Sequence, residues 1–112
     1  MERKDIINNK KTGWLNLNEV EKKNVFAFSE GYMDFLNKSK TEREFAKNAK
    51  ELLDNNGFIN IEEKSTLNIG DKVYYINRNK CVYIAVIGKE VLSNGLNIVG
   101  SHIDSPRLDL KP

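Results

Sequence analysis

The sequence predicts an α/β fold in which two helices precede a small sheet. Apolar residues recur at helical spacing from about residue 19 to residue 55, whereas beyond Gly57 they gather in short extended runs. One of these runs, residues 81–87, is apolar at every position. Because strands that are covered on both faces have this composition, we expect a packed layer on each side of the sheet.

The first helix is predicted from about Glu19 to Leu36. Asn18 followed by Glu21 is typical of a helix N-cap with a reciprocal carboxylate. An apolar stripe then recurs at helical spacing, formed by Val25, Phe28, Tyr32 and Phe35. Such a stripe belongs to a hydrophobic core more often than to a partner-binding face, so we predict that it packs in the core.

The second helix is predicted from about Glu42 to Asn55. Thr41 and Glu44 repeat the capping pattern at its start, and Gly57 is suited to end it. Its apolar stripe consists of Phe45, Ala49, Leu52 and Leu53. We therefore interpret both helices as scaffold for the sheet that follows.

The sheet is predicted from four extended segments. A short one at Phe58–Ile61 comes first, a hairpin follows, and a further strand leads to the only histidine. The hairpin strands are Val73–Ile76 and Cys81–Ile87, and the further strand is Leu96–Gly100, which ends close to His102. Two helices can cover only one face of this sheet. Further chain, or an oligomer partner, is therefore expected to cover the other face.

Composition favours a single domain and excludes several partner classes. The chain has 112 residues, of which 39% are hydrophobic, and its 18 basic and 16 acidic side chains leave a formal charge of +2. This balance predicts neither a nucleic-acid partner nor a membrane surface. We assign residues 1–13 to a flexible leader and residues 14–112 to the domain.

The compartment is predicted from two negative observations. The longest apolar run has seven residues, far below the ~20 that a membrane helix needs, and no apolar signal segment follows Met1. Cys81 is the only cysteine, so no internal disulfide can form. Both observations favour a cytoplasmic protein.

His102 and Asp104 are the residues that point most directly to chemistry. If the strand continues through them, positions 102 and 104 lie on one face, and the Asp104 carboxylate can reach the imidazole ring. A metal-bound histidine needs such a partner to orient it and to fix its tautomer. The same two residues can equally form a structural pair, and the sequence contains no second histidine to extend a metal site.

The segment from Gly100 to Pro112 resembles the first metal-binding segment of the aspartyl-aminopeptidase family of zinc metallopeptidases, in particular its bacterial members. The His-x-Asp core is shared with related zinc peptidases, whereas the continuation Ser-Pro-x-Leu-x-x-Lys-Pro is much more specific. The resemblance extends to Tyr32–Glu44 and to the second helix through Phe58. Ile103 stands where many members have threonine.

The resemblance implies that this chain is the N-terminal part of a three-layer α/β/α zinc-peptidase domain that continues beyond Pro112. It implies His102 as a zinc ligand and Asp104 as the carboxylate that orients this ligand. The remaining ligands and the general base would lie further along the chain. The implied enzyme removes the N-terminal residue from peptides, carries two zinc ions with cobalt or manganese as alternatives, and forms a homo-oligomer.

On this hypothesis the 112-residue chain alone is inactive. No substrate-binding residue is assigned, and the sequence does not distinguish acidic from neutral N-terminal residues as the preferred substrate. Two other hypotheses stay open: a self-sufficient, non-catalytic α+β binding or regulatory module, and a non-catalytic paralogue that assembles with full-length subunits. A self-sufficient module should unfold cooperatively as a monomer, whereas a fragment should aggregate or pack loosely.

Overall fold

The computed structural model describes residues 12–106, 108 and 110–111. Most of the predicted leader therefore lies outside the described residues, and its flexibility stays a prediction. The chain divides into two compact units, of which one ends at Asp34 and the other begins at Phe35. Among the described residues, the helices lack the combination of length and apolar character that crossing a membrane requires.

The described part of the first unit contains a 3-10 turn, Gly13–Asn16, followed by most of helix α1, Glu19–Lys38. The helix begins as predicted. The Asn18 side-chain oxygen accepts a hydrogen bond of 2.9 Å from the Glu21 amide, and the Glu21 carboxylate accepts one of 2.8 Å from the Asn18 amide. This reciprocal pair satisfies two amides that the first helical turn leaves without an intrahelical partner.

The core packing predicted for the apolar stripe of α1 is absent from the structure. No residue of α1 is buried, and Val25, Phe28 and Tyr32 are all exposed. The helical spacing correctly predicted the helix, but it did not identify an element that covers the stripe. Within the stripe only Phe35 is half-buried, with its ring edge-on to that of Phe45 at a centroid distance of 5.1 Å.

Helix α2, Glu42–Asn55, has the predicted bounds because both of its ends are specified locally. Thr41 and Glu44 form the predicted capping box, with hydrogen bonds of 3.2 and 3.0 Å. At the other end Gly57 adopts a φ of +76°, a left-handed conformation that glycine takes without strain. The chain then turns back, and the Phe58 amide donates to the Leu53 carbonyl at 3.0 Å.

The sheet has three strands in the order β1-β2-β3: β1 is Ile59–Asn60, β2 is Lys72–Asn77 and β3 is Cys81–Val86. β1 pairs with β2 in parallel, and β2 pairs with β3 as the predicted antiparallel hairpin. Arg78 and Asn79 have φ angles of +52° and +56°, which turns the chain tightly between the hairpin strands. The predicted α/β class, two helices followed by a hairpin sheet, is confirmed.

The core residues come from α2 and β2. The buried hydrophobic residues are Ala46, Ala49, Leu53, Val73 and Tyr74. The Tyr74 hydroxyl donates a hydrogen bond of 2.9 Å to the Asp54 carboxylate, whose other oxygen lies 2.6 Å from the Lys50 ammonium. These hydrogen bonds, first that from Lys50 and then that from Tyr74, lower the pKa of Asp54. A polar link thus fixes α2 on the buried strand.

One predicted strand of the sheet is missing, and another is left largely uncovered. The second cover of residues 81–87 was expected from further chain or an oligomer partner, and within this chain Tyr83 and Ile84 are each 56% exposed and Val86 is 62% exposed. The predicted strand Leu96–Gly100 is not formed. A strand requires a neighbour to accept and donate its backbone hydrogen bonds, and among the described residues none pairs with this segment.

Candidate metal centre

His102 and Asp104 lie together in a segment that has neither helix nor strand. The Nδ1 atom of His102 is 3.1 Å from the Asp104 carboxylate oxygen Oδ1 and 3.1 Å from the Asp104 backbone oxygen. The side chains are 80% and 67% exposed. The structure therefore brings together the two residues that the sequence singled out, through a local loop rather than through the alternation of a strand.

This geometry determines which tautomer of the imidazole is compatible with the contacts. A backbone carbonyl oxygen can only accept a hydrogen bond, so Nδ1 of His102 must be the donor toward Asp104. In the neutral ring, Nε2 then keeps its lone pair and points away from the carboxylate contact. A histidine held in this form by a carboxylate is the usual arrangement of a metal ligand.

The donor set suits zinc but supplies only part of a site. Zinc binds imidazole nitrogen readily, and catalytic zinc sites normally use three protein ligands. Within the described residues, no group of three or more histidine, cysteine, aspartate or glutamate side chains is placed to hold a metal ion. His102 therefore offers one imidazole nitrogen, Nε2, while its Nδ1 contacts Asp104.

An apolar groove, which the sequence pattern alone does not predict, lies next to this segment. Its volume is about 740 Å³, and it is lined by residues of β2, β3 and the segment Gly95–Val99, which leads toward His102. The signal that pointed to it was the run of apolar residues through β3, which was interpreted as a covered strand. No residue of this groove had been proposed to bind substrate.

Comparison with known proteins identifies a family whose members match this chain. A family model described as aminopeptidase I zinc metalloprotease (M18) matches residues 35–112. The matched range contains α2, the whole sheet and the His102 segment.

Individual relatives match over most of this chain but over a small part of their own length. A probable M18 family aminopeptidase 1 from Borreliella afzelii is 50% identical over 103 residues, which cover 92% of this chain and 22% of that protein. The crystal structure of aminopeptidase I from Borrelia burgdorferi matches with a TM-score of 0.79 and 46% identity, over 87% of this chain and 24% of that one. An M18 aminopeptidase structure from Thermotoga maritima matches with a TM-score of 0.74 and 37% identity, over 90% and 22%.

Proposed function

Because the chain belongs to the aminopeptidase I zinc metalloprotease family (M18), we propose that it contributes a zinc ligand, His102, to an enzyme that removes N-terminal residues from peptides. The observation that carries this proposal is the pair of 3.1 Å contacts from Nδ1 to Asp104, which leave Nε2 free. The chain spans about a fifth of the length of the curated relatives it matches, so the activity is proposed for the whole enzyme.

In this proposal the two residues have different roles. His102 presents Nε2 to the metal, and Asp104 holds the ring in the Nδ1–H tautomer and restricts its rotation. Zinc, when bound, lowers the pKa of a coordinated water to about 7 and polarises the scissile carbonyl. The family description supports zinc. A second metal ion, replacement by cobalt or manganese, and homo-oligomeric assembly in the cytoplasm are further parts of the proposal.

The isolated chain should be inactive, because one imidazole cannot hold zinc in a catalytic geometry. We expect purified chain, supplied with zinc and aminoacyl substrates, to show no turnover above the rate of free zinc. The described residues place no three metal-binding side chains together. Metal-dependent turnover by this chain would therefore contradict the expected inactivity of the isolated chain.

The assignment of His102 and Asp104 can be tested separately from activity. In ¹⁵N-labelled chain we expect nitrogen chemical shifts of His102 that report a protonated Nδ1 and a bare Nε2. Asp104→Ala should weaken this preference because it removes one of the two acceptors. A spectrum that places the proton on Nε2 in the unsubstituted chain would overturn the assignment.

A further inference from the structure

A cavity between α2 and the hairpin carries a concentration of positive charge. Its volume is about 350 Å³, and it is lined by Arg43, Ala46, Lys47, Lys50, Ile76 and Asn79. The three cations among these residues lie four and three positions apart along α2, so they share one face of the helix. No carboxylate contributes to this lining. We call it the cationic cavity.

Only one of the three cations is neutralised by a nearby carboxylate. The Lys50 ammonium forms the 2.6 Å ion pair with Asp54 that was described with the core. In the part of the chain that the structure describes, no carboxylate lies within ion-pair distance of Arg43 or Lys47. The cationic cavity therefore contains two positive charges without local compensation.

The stability of the helix does not account for this arrangement of charge. Arg43 lies in the first turn of α2, where the helix dipole favours anionic side chains and disfavours cations. Arg43 and Lys47 are also four positions apart, a spacing at which like charges repel each other on a helix. An anion bound between the two side chains would offset both costs.

The dimensions of the cationic cavity indicate the kind of anion. Its volume lies in the range of small-molecule sites, which is roughly 300 to 1,000 Å³. One helical turn separates Arg43 from Lys47, about 6 Å along the axis, and Lys50 follows about one turn later. A ligand with two linked anionic groups can therefore contact neighbouring cations, whereas a single phosphate contacts fewer of them.

The side chains suit phosphoryl oxygens in particular. The guanidinium of arginine binds phosphate through two parallel hydrogen bonds, and the ammonium of lysine binds it as a point charge. We propose that the cationic cavity binds a diphosphate group, either as inorganic pyrophosphate or as the diphosphate of a nucleotide. This site uses neither His102 nor Asp104, so it does not depend on the proposed function.

The test is an NMR titration of ¹⁵N-labelled chain with inorganic pyrophosphate, in buffer without divalent metal ions. We expect saturable shifts of the Arg43, Lys47 and Asn79 amides, and we expect added salt to weaken the binding because salt screens exposed charges. Inorganic phosphate should bind about tenfold more weakly, as expected for the loss of one contact to a charged group. Shifts that do not saturate, or equal binding of phosphate and pyrophosphate, would overturn the diphosphate site.

Lys47→Gln tests the site with one exposed side chain, and Lys89→Gln is the matched control. The control makes the same change at an exposed lysine outside the cationic cavity. Lys47→Gln should weaken pyrophosphate binding about tenfold, and Lys89→Gln should leave it unchanged. Equal weakening in both variants would mean that pyrophosphate responds only to the net charge of the chain, and the proposal would fail.

Two further ligands identify the source of the diphosphate. If ADP binds more tightly than pyrophosphate and also shifts the Ile76 amide, a nucleotide is the source. If ADP binds no more tightly and leaves Ile76 unshifted, the inorganic anion is the source, and the diphosphate site stands in both cases. A short peptide of glutamates that binds the same residues more tightly than either ligand would point to an acidic protein partner and overturn the proposal.

Discussion

The two strands of the hairpin differ in how completely they are packed. β2 lies between β1 and β3, and its Val73 and Tyr74 are buried against a layer to which α2 contributes. β3 has the more apolar sequence, yet its residues from Tyr83 to Val86 are exposed. An apolar strand sequence thus indicates that the strand is suited to packing on both faces. Burial shows how much of that packing the described residues provide.

Val73 and Val86 allow this difference to be measured, because the same valine-to-alanine change can be made on each strand. Val73 is 2% exposed and Val86 is 62% exposed. Val73→Ala should lower the free energy of unfolding by about 2 kcal/mol, because it removes buried methyl groups and leaves a cavity. Val86→Ala should change it by less than about 0.5 kcal/mol in the isolated chain, as is usual at exposed positions.

Urea denaturation of the two variants beside the unsubstituted chain gives both values. Equal losses in the two variants would mean that β3 is already covered in the isolated chain, for example by self-association. Self-association would make the urea midpoint depend on protein concentration, whereas the midpoint of a monomer does not. A sharp transition of the monomer would instead favour the self-sufficient module over a fragment.

The hydroxyl of Tyr74 makes a smaller contribution to the stability of the buried strand β2. Tyr74→Phe keeps the ring in place and removes the 2.9 Å hydrogen bond to Asp54. The expected loss is about 1 kcal/mol, since the acceptor is partly exposed and can bind water instead. Tyr75→Phe is the control at an exposed neighbour and should be nearly neutral. An equal effect of both substitutions in urea denaturation would contradict the role of the link.

Locally specified features could be predicted from the sequence, and features that need a distant partner could not. The capping box at Thr41 and the left-handed Gly57 define α2 because each acts within one turn. The proximity of Asp104 to His102 was also predictable, since two positions separate them. The exposed stripe of α1 and the unpaired Leu96–Gly100 were mispredicted because periodicity shows which surface is apolar and does not show what packs on it.

The smallest expected effect is a loss of stability at low pH, and it arises at the start of β2. Asp71 precedes β2, and its carboxylate lies 2.6 Å from the Lys64 ammonium and accepts the Asn68 amide at 2.8 Å. These hydrogen bonds, first that from Lys64, lower the pKa of Asp71. When a folded pKa lies below the unfolded value of about 3.9, the stabilisation is complete above that value and is lost as the pH falls through the folded pKa.

We therefore expect the urea midpoint to fall between about pH 5 and pH 3, and we expect Asp71→Asn to make this fall shallower. Lys64→Met should have the same effect because it removes the main cause of the lowered pKa. The change should be modest, since water screens a partly exposed ion pair. Val86→Ala should leave the pH dependence unaltered, because β3 contributes no carboxylate. If the urea midpoint of Asp71→Asn falls as steeply with pH as that of the unsubstituted chain, the loss of stability in acid comes from groups other than Asp71.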